Sequence, residues 1–226
     1  MSHETYASRE RQLSKSFDRS VSRVKPALVA RYGKKEAQGL LQESRRLYEE
    51  LVPQIPYIGD RNPMLIFLLP TTRFLAIYRS FQKHGRTVEE AGRLIHEISQ
   101  AECEAIPGPV RRLMAALWFS PWFRGRIRRR AESSHERRYP GGYVLDYVKG
   151  DGQDFDYGVD YLECASVKLL EEQGAPELGP YVCAVDRFTS EMLGWGLHRN
   201  TTLAGGDERC EFRFKKGGET RVALPQ

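Results

Sequence analysis

The sequence predicts an α+β protein: a helical amino-terminal half packed on a carboxy-terminal antiparallel sheet with two helices. Three observations carry this. Apolar residues recur at helical spacing up to residue 138 and at every second residue soon after it. The run Tyr139-Pro140-Gly141-Gly142 punctuates the chain at that change. Beyond it the order reads strand-strand-helix-helix-strand-strand. With 226 residues, 40% of them hydrophobic, the chain is long enough to bury a sizeable core. Residues 1–138 and 139–226 are read as two parts of one compact unit.

In the helical half, Leu13, Phe17, Val21 and Val24 share a helix face, and Pro26 is expected to interrupt the run. Ala37, Leu40, Leu41, Leu47, Tyr48 and Leu51 form a second face that ends before Pro53 and Pro56. Asn62-Pro63 reads as a cap and a first-turn proline opening the apolar segment up to Gly85. Pro70 and Arg73 cut that segment, so it predicts a buried helix pair and not a membrane span. Thr87 and Glu90 have the spacing of a capping box, followed by Val88, Ala91, Leu94, Ile95 and Ile98. A last helix is expected from Pro109 through Leu113, Leu117 and Trp118, with Pro121 ending it.

In the second half, Tyr143, Leu145 and Tyr147 alternate with Val144, Asp146 and Val148. After the turn Gly150-Asp151-Gly152-Gln153, Phe155, Tyr157, Val159 and Tyr161 share one strand face, and Asp154, Asp156 and Asp160 the other. A helix starts near Cys164 and ends at Gly174. Pro180 opens the next, which ends by Gly194 and Gly196. Two more alternating runs, Arg209 to Phe214 and Thr220 to Leu224, close the chain. Arg209, Arg213 and Lys215 complement the acidic strand face, so these strands can pair.

Charge divides the chain in the same way. Residues 1–138 carry 26 Lys and Arg against 15 Asp and Glu, and residues 139–226 carry 9 against 15, which sums to the net +5. The basic run Arg124, Arg126, Arg128, Arg129, Arg130, Arg137 and Arg138 lies between the halves, beside Trp118, Trp122 and Phe123. It reads as a solvated helix end or a docking face for the acidic half, or else as an anion-binding surface. No nucleic-acid partner and no integral membrane segment are expected; a homo-oligomer is possible from the opposed charges. Met1 to Arg11 lack an apolar signal core, which argues against secretion and for a cytoplasmic protein. Cys103, Cys164, Cys183 and Cys210 form no CxxC pair and are read as free thiols.

Chemistry concentrates in the second half. Cys183 and Asp186, three apart on one helix, share a face with Ser190 one turn on; a thiol beside a carboxylate suits a nucleophile with its acid or base. Cys164 stands where a strand becomes a helix, and helix amides lower a thiol pKa. Cys210 is in phase with Phe212 and Phe214. Arg199, after His198 and before Asn200-Thr201-Thr202, has the planar guanidinium that holds a carboxylate. Each of these also has a plain structural reading as a core cysteine, a surface carboxylate or a loop arginine. Zinc held by Cys164, Cys183, Cys210 and His198 or Asp186 is a remote alternative, because the spacing matches no zinc motif; no cofactor or metal is expected.

The segments Glu163-Cys164-Ala165, Gly174-Ala175-Pro176-Glu177-Leu178, Cys183-Ala184-Val185-Asp186, Arg199 to Leu203 and Gly206 to Phe214 resemble the L-2-amino-thiazoline-4-carboxylic acid hydrolase family. The resemblance extends over most of residues 60–215. Two positions depart from it: Glu211 stands where the family usually has Asp, and Asn200 replaces a Thr beside the arginine. The ending is also similar to that of the small-molecule-binding domain named after the vinyl reductases. The resemblance implies hydrolytic opening of a small carboxylated cyclic amidine by attack on its ring C=N carbon, as a hydrolase acting on a C–N bond. N-carbamoyl-cysteine is the product for the namesake substrate. Cys183, Asp186 and Cys164 are then the catalytic candidates, and Arg199, Glu177, His198, Thr202 and Cys210 the substrate-binding ones. A non-catalytic small-molecule-binding protein on the same scaffold is the alternative, to which Tyr181, Phe188 and Trp195 would contribute.

Overall fold

The computed structural model describes Tyr6, residues 9–60, residues 62–223 and Pro225. Most of the amino-terminal segment that argues against secretion, and Leu224 in the last expected strand, lie outside these residues. The helical half comprises α1 (Glu10–Tyr32), α2 (Lys34–Leu51), α3 (Leu65–Lys83), α4 (Val88–Glu104), α5 (Gly108–Trp118) and α6 (Pro121–Ser134). Leu13, Phe17, Val21, Val24 and Leu28 form the buried face of α1.

Two prolines were expected to break helices and do not. Proline leaves the carbonyl four residues back without its helical donor, and the cost is small where that carbonyl meets water. Pro26 and Ser22 both lie on the exposed face of α1. Pro70 lies one turn inside α3 and releases the carbonyl of exposed Ile66, so the expected helix pair is one continuous helix. Arg73 does not cut it either: buried, it donates to Ser20 Oγ of α1 and to Glu102 Oε2 of α4 at 3.0 Å. The capping box at Thr87 and Glu90 is present. The helix expected to stop before Pro121 does end at Trp118, and Pro121 is itself the first residue of α6, whose N-cap Ser120 accepts from the Phe123 amide at 3.1 Å.

The second half contains β1 (Val144–Lys149), β2 (Tyr157–Glu163), α7 (Ala165–Glu172), α8 (Gly179–Leu193), β3 (Leu197–Arg199), β4 (Cys210–Phe214) and β5 (Arg221–Val222). The sheet order is β1-β2-β4-β3-β5. The architecture is α+β, but the sheet is mixed and not purely antiparallel. The short β3 lies in a stretch read as a polar loop, and β5 pairs parallel to it. One edge of β4 is taken by β2 and the other by β3, and the last strand adds to the outer edge of β3.

The expected charge complementarity is present between β2 and β4. Asp160 meets Arg213 at 2.5 Å and Arg209 at 3.7 Å. It is buried by them, however, so that side of β2 is not the wet acidic face expected. On edge strand β1, Ser134 Oγ of α6 accepts from the Leu145 amide at 3.0 Å and also faces its carbonyl. Tyr157, Val159, Phe214, Leu197 and Leu145 line the inner sheet face and join the helices in one hydrophobic cluster.

Gly194 and Gly196 separate two backbone effects. Both have positive φ, but a Cβ on Gly194 meets open space, whereas one on Gly196 would lie 2.1 Å from the Lys215 carbonyl oxygen. Gly194→Ala is expected to cost about 1 kcal/mol from conformation alone, and Gly196→Ala at least ~2 kcal/mol, because backbone must also move. Urea midpoints of the two variants measure the difference; equal midpoints would contradict the packing argument.

Candidate active site

The connection from β2 to α7, the second turn of α8, the end of β3 and the start of β4 converge at one end of the sheet. Cys164 is the N-cap residue of α7, so its sulfur faces the amides of Ser166 and Val167. Pro180 near the start of α8 allows Cys183 and Asp186 to lie on one helical face. Register places Cys210 opposite Tyr161. The Leu203 amide points at Cys210 Sγ, 3.2 Å away.

Arg199 locks this arrangement. Its side chain is 2% exposed, while that of Asp186 keeps 28%. One terminal nitrogen donates to Asp186 Oδ2 at 2.5 Å and the other to the Cys183 carbonyl at 3.0 Å. The guanidinium also lies over the Phe212 ring, 5.2 Å from its centroid. Its Nε is buried without a partner. Both terminal nitrogens therefore orient α8, and little of the guanidinium is open to a substrate carboxylate.

Cys164, Cys183 and Asp186 retain accessible surface although burial dominates their titration, the combination expected on the floor of a narrow crevice. Burial pushes the Cys164 thiol up to about 11, opposed by the Val167 and Ser166 amides. Burial raises Cys183 further, opposed by Arg199. It raises Cys210 as well, against the Leu203 amide. The Asp186 carboxyl is also raised by burial, which outweighs the neighbouring guanidinium. At neutral pH the thiols are protonated, and Asp186 holds a proton more readily than an ordinary carboxyl.

The other expected site residues are engaged in contacts that hold the fold. Glu177 accepts from Tyr78 of α3 and so fastens the turn before α8. His198 pairs in register with Arg213, on the opposite sheet face from Arg199 and Cys210. Thr202 builds a turn: its Oγ1 accepts from the Gly205 amide at 2.9 Å and its amide donates to Asp207. Ser190 is tied to Thr220 and to the Leu197 amide. Tyr181 and Phe188 pack on His96, and Trp195 stacks on Trp118 with centroids 3.8 Å apart. Among the described residues, no group of three or more His, Cys, Asp or Glu is arranged to hold a metal.

Tyr161, read from the sequence only as a strand residue, enters the site. Its ring lies 5.0 Å from Phe212 and 6.3 Å from Tyr143, and burial pushes its hydroxyl pKa up, with Asp186, Cys164 and Cys210 adding to the rise. The hydroxyl makes no hydrogen bond to another described residue. Only the strand register, which sets Tyr161 against Cys210, could have revealed it. Behind it, Tyr143 pairs with Ser166 at 3.0 Å, and Thr71 donates to Ser166 at 2.9 Å.

Three thiols, a carboxylate held by a buried arginine and Tyr161 thus gather at one end of an α+β sheet. The chain is a member of the L-2-amino-thiazoline-4-carboxylic acid hydrolase family, whose family model matches residues 71–214, from the second turn of α3 to the end of β4. No curated protein and no solved structure matches the chain. The matched region contains every crevice residue described above. No helix among the described residues is long and apolar enough to cross a membrane.

Proposed function

We propose that the crevice hydrolyses 2-aminothiazoline-4-carboxylate or a closely related carboxylated cyclic amidine. The supporting observation is the shared face of Cys183 and Asp186, held by Arg199 through the Cys183 carbonyl and the Asp186 carboxylate. Asp186, with its raised pKa, gives its proton to the ring nitrogen and makes the amidine carbon electrophilic. Cys183 Sγ then bonds to that carbon as the thiol proton passes to the Asp186 carboxylate. The ring carbon–sulfur bond breaks, its electron pair leaves with sulfur, and sulfur takes that proton.

Water adds to the same carbon and gives a proton to Asp186. Cys183 departs and recovers it, and the protonated urea returns the last proton to Asp186. The sum is substrate plus one water giving N-carbamoyl-cysteine. This refines the expected bond: water adds at the C=N carbon, but the bond that opens the ring is carbon–sulfur. Tyr161 and the amides at the start of α7 meet the substrate carboxylate, since Arg199 is engaged. Cys164 is the second candidate thiol, and no metal takes part. Four free thiols accord with a reducing, cytoplasmic setting.

Mass spectrometry of the protein incubated with L-2-amino-thiazoline-4-carboxylate is expected to show the substrate gaining one water, and a protein adduct of substrate mass that Cys183→Ala abolishes. Full turnover in Cys183→Ala and in Cys164→Ala would remove covalent catalysis. A stable complex without turnover would favour the binding-protein reading, to which the aromatic wall of Tyr161, Phe212 and Tyr143 is suited.

A further inference from the structure

The helix pair α5–α6 lies apart from the crevice chemistry and has an unusual surface. In α5, Val110, Leu113, Met114 and Leu117 recur at i, i+3, i+4 and i+7, the stripe that normally faces a core. Here it faces outward: the four side chains are 38–60% exposed, and no residue of α5 is fully buried. The side turned to the protein carries Arg111, Ala115 and Trp118, with Arg111 against Met192 of α8. On the first turn of α6, Trp122 is 60% exposed, with the Arg126 guanidinium 5.0 Å from its ring centroid. A shallow groove beside it is lined by Trp122, Gly125, Arg128 and Arg129. Residues 108–134 hold seven arginines and one acidic residue, Glu132, which pairs with Arg128.

We propose that α5–α6 is a docking surface for an anionic lipid bilayer, on which the two helices lie in the interface. An exposed apolar stripe with a tryptophan beside a concentration of arginines matches the two attractions such a surface offers: apolar burial at the acyl boundary and charge at the headgroups. A second copy of the chain fits less well. A two-fold contact would set the same arginine-rich patch against itself, and like charges would repel across the apolar stripe. A nucleic acid would engage the arginines but leave the aliphatic stripe of α5 in water. Docking places the protein on the membrane, not through it, in keeping with the absence of a spanning helix among the described residues.

The full chain is mixed with vesicles of phosphatidylcholine containing about 30% phosphatidylserine, or of phosphatidylcholine alone, and bound protein is measured by flotation. The expected result is at least ~10-fold stronger binding to the anionic vesicles, weakening at high salt, with a blue shift of emission that Trp122→Phe removes. Leu113→Glu and Arg128→Gln/Arg129→Gln are each expected to lower that binding ~10-fold or more while the circular dichroism stays unchanged. Equal binding to both vesicles, or none, would overturn the proposal. So would a concentration-dependent dimer that Leu113→Glu dissociates, or retention of a short duplex DNA that Leu113→Glu leaves intact.

Discussion

Asp186→Asn is expected to lower turnover of 2-aminothiazoline-4-carboxylate by about 10²–10⁴-fold, the usual scale for removing an acid–base group. The loss should fall on kcat, because the amide has nearly the shape of the carboxyl and its oxygen can still accept from Arg199. Folding should weaken as well, because the buried Arg199 charge loses its counter-ion and keeps only neutral acceptors. The covalent adduct should also fail to form, since the Cys183 thiol, raised by burial, loses the group that takes its proton. Steady-state assays by mass spectrometry, with thermal unfolding as the control, measure all three. Turnover within tenfold of the parent would remove Asp186 from the chemistry and move attention to Cys164 and its helix amides.

Arg199→Met is expected to be the most destabilising change in the crevice. Removing one partner of a buried ion pair strands the other, a loss of about 3–5 kcal/mol when both are fully buried. Asp186 keeps some solvent access, so about 2–4 kcal/mol is expected here. The loss should depend on pH with a definite sign. In the parent the Asp186 pKa is raised by burial, and Arg199 is the principal influence holding it down. A raised carboxyl favours the folded state fully below its unfolded pKa of 3.8, and that contribution fades as pH rises through the folded value. Without Arg199 the folded value climbs further, so the variant should lose more stability at about pH 8 than at about pH 5. Asp186→Asn/Arg199→Met should recover part of the loss, because neither charge is then stranded. Urea denaturation at the two pH values provides the comparison; a pH-independent loss, with no recovery in the double variant, would mean that Arg199 acts only through the Cys183 carbonyl.

Much of the fold and part of the crevice were legible before any coordinate. The apolar periods of α1, α2 and α4, the Thr87–Glu90 cap and the Gly174 and Gly194 stops are local, and local spacing suffices to place them. The family pattern from Cys164 to Phe214 likewise singled out Cys164, Cys183, Asp186, Arg199 and Cys210, which the tertiary structure gathers into one crevice. Glu177 and Thr202 belong to the same pattern, yet they build turns: a motif preserves residues that shape a site as readily as those that line it.

What the sequence left open depended on neighbours far along the chain. Whether Pro26 and Pro70 break a helix depends on whether the carbonyls they release meet water, which is a property of packing. Asp160 is a wet acidic residue or a buried ion-paired one according to which strand lies beside β2. Arg199 has the chemistry of a substrate clamp, but α8 takes both terminal nitrogens, so only the fold makes it a positioning residue. Tyr161 joined the site through register alone, since a strand shows two equivalent faces until its partner is known. Spacing along the chain therefore determined the elements and most of the reactive groups, while contacts between distant segments decided which charges were already paired and which polar groups remained available to a substrate.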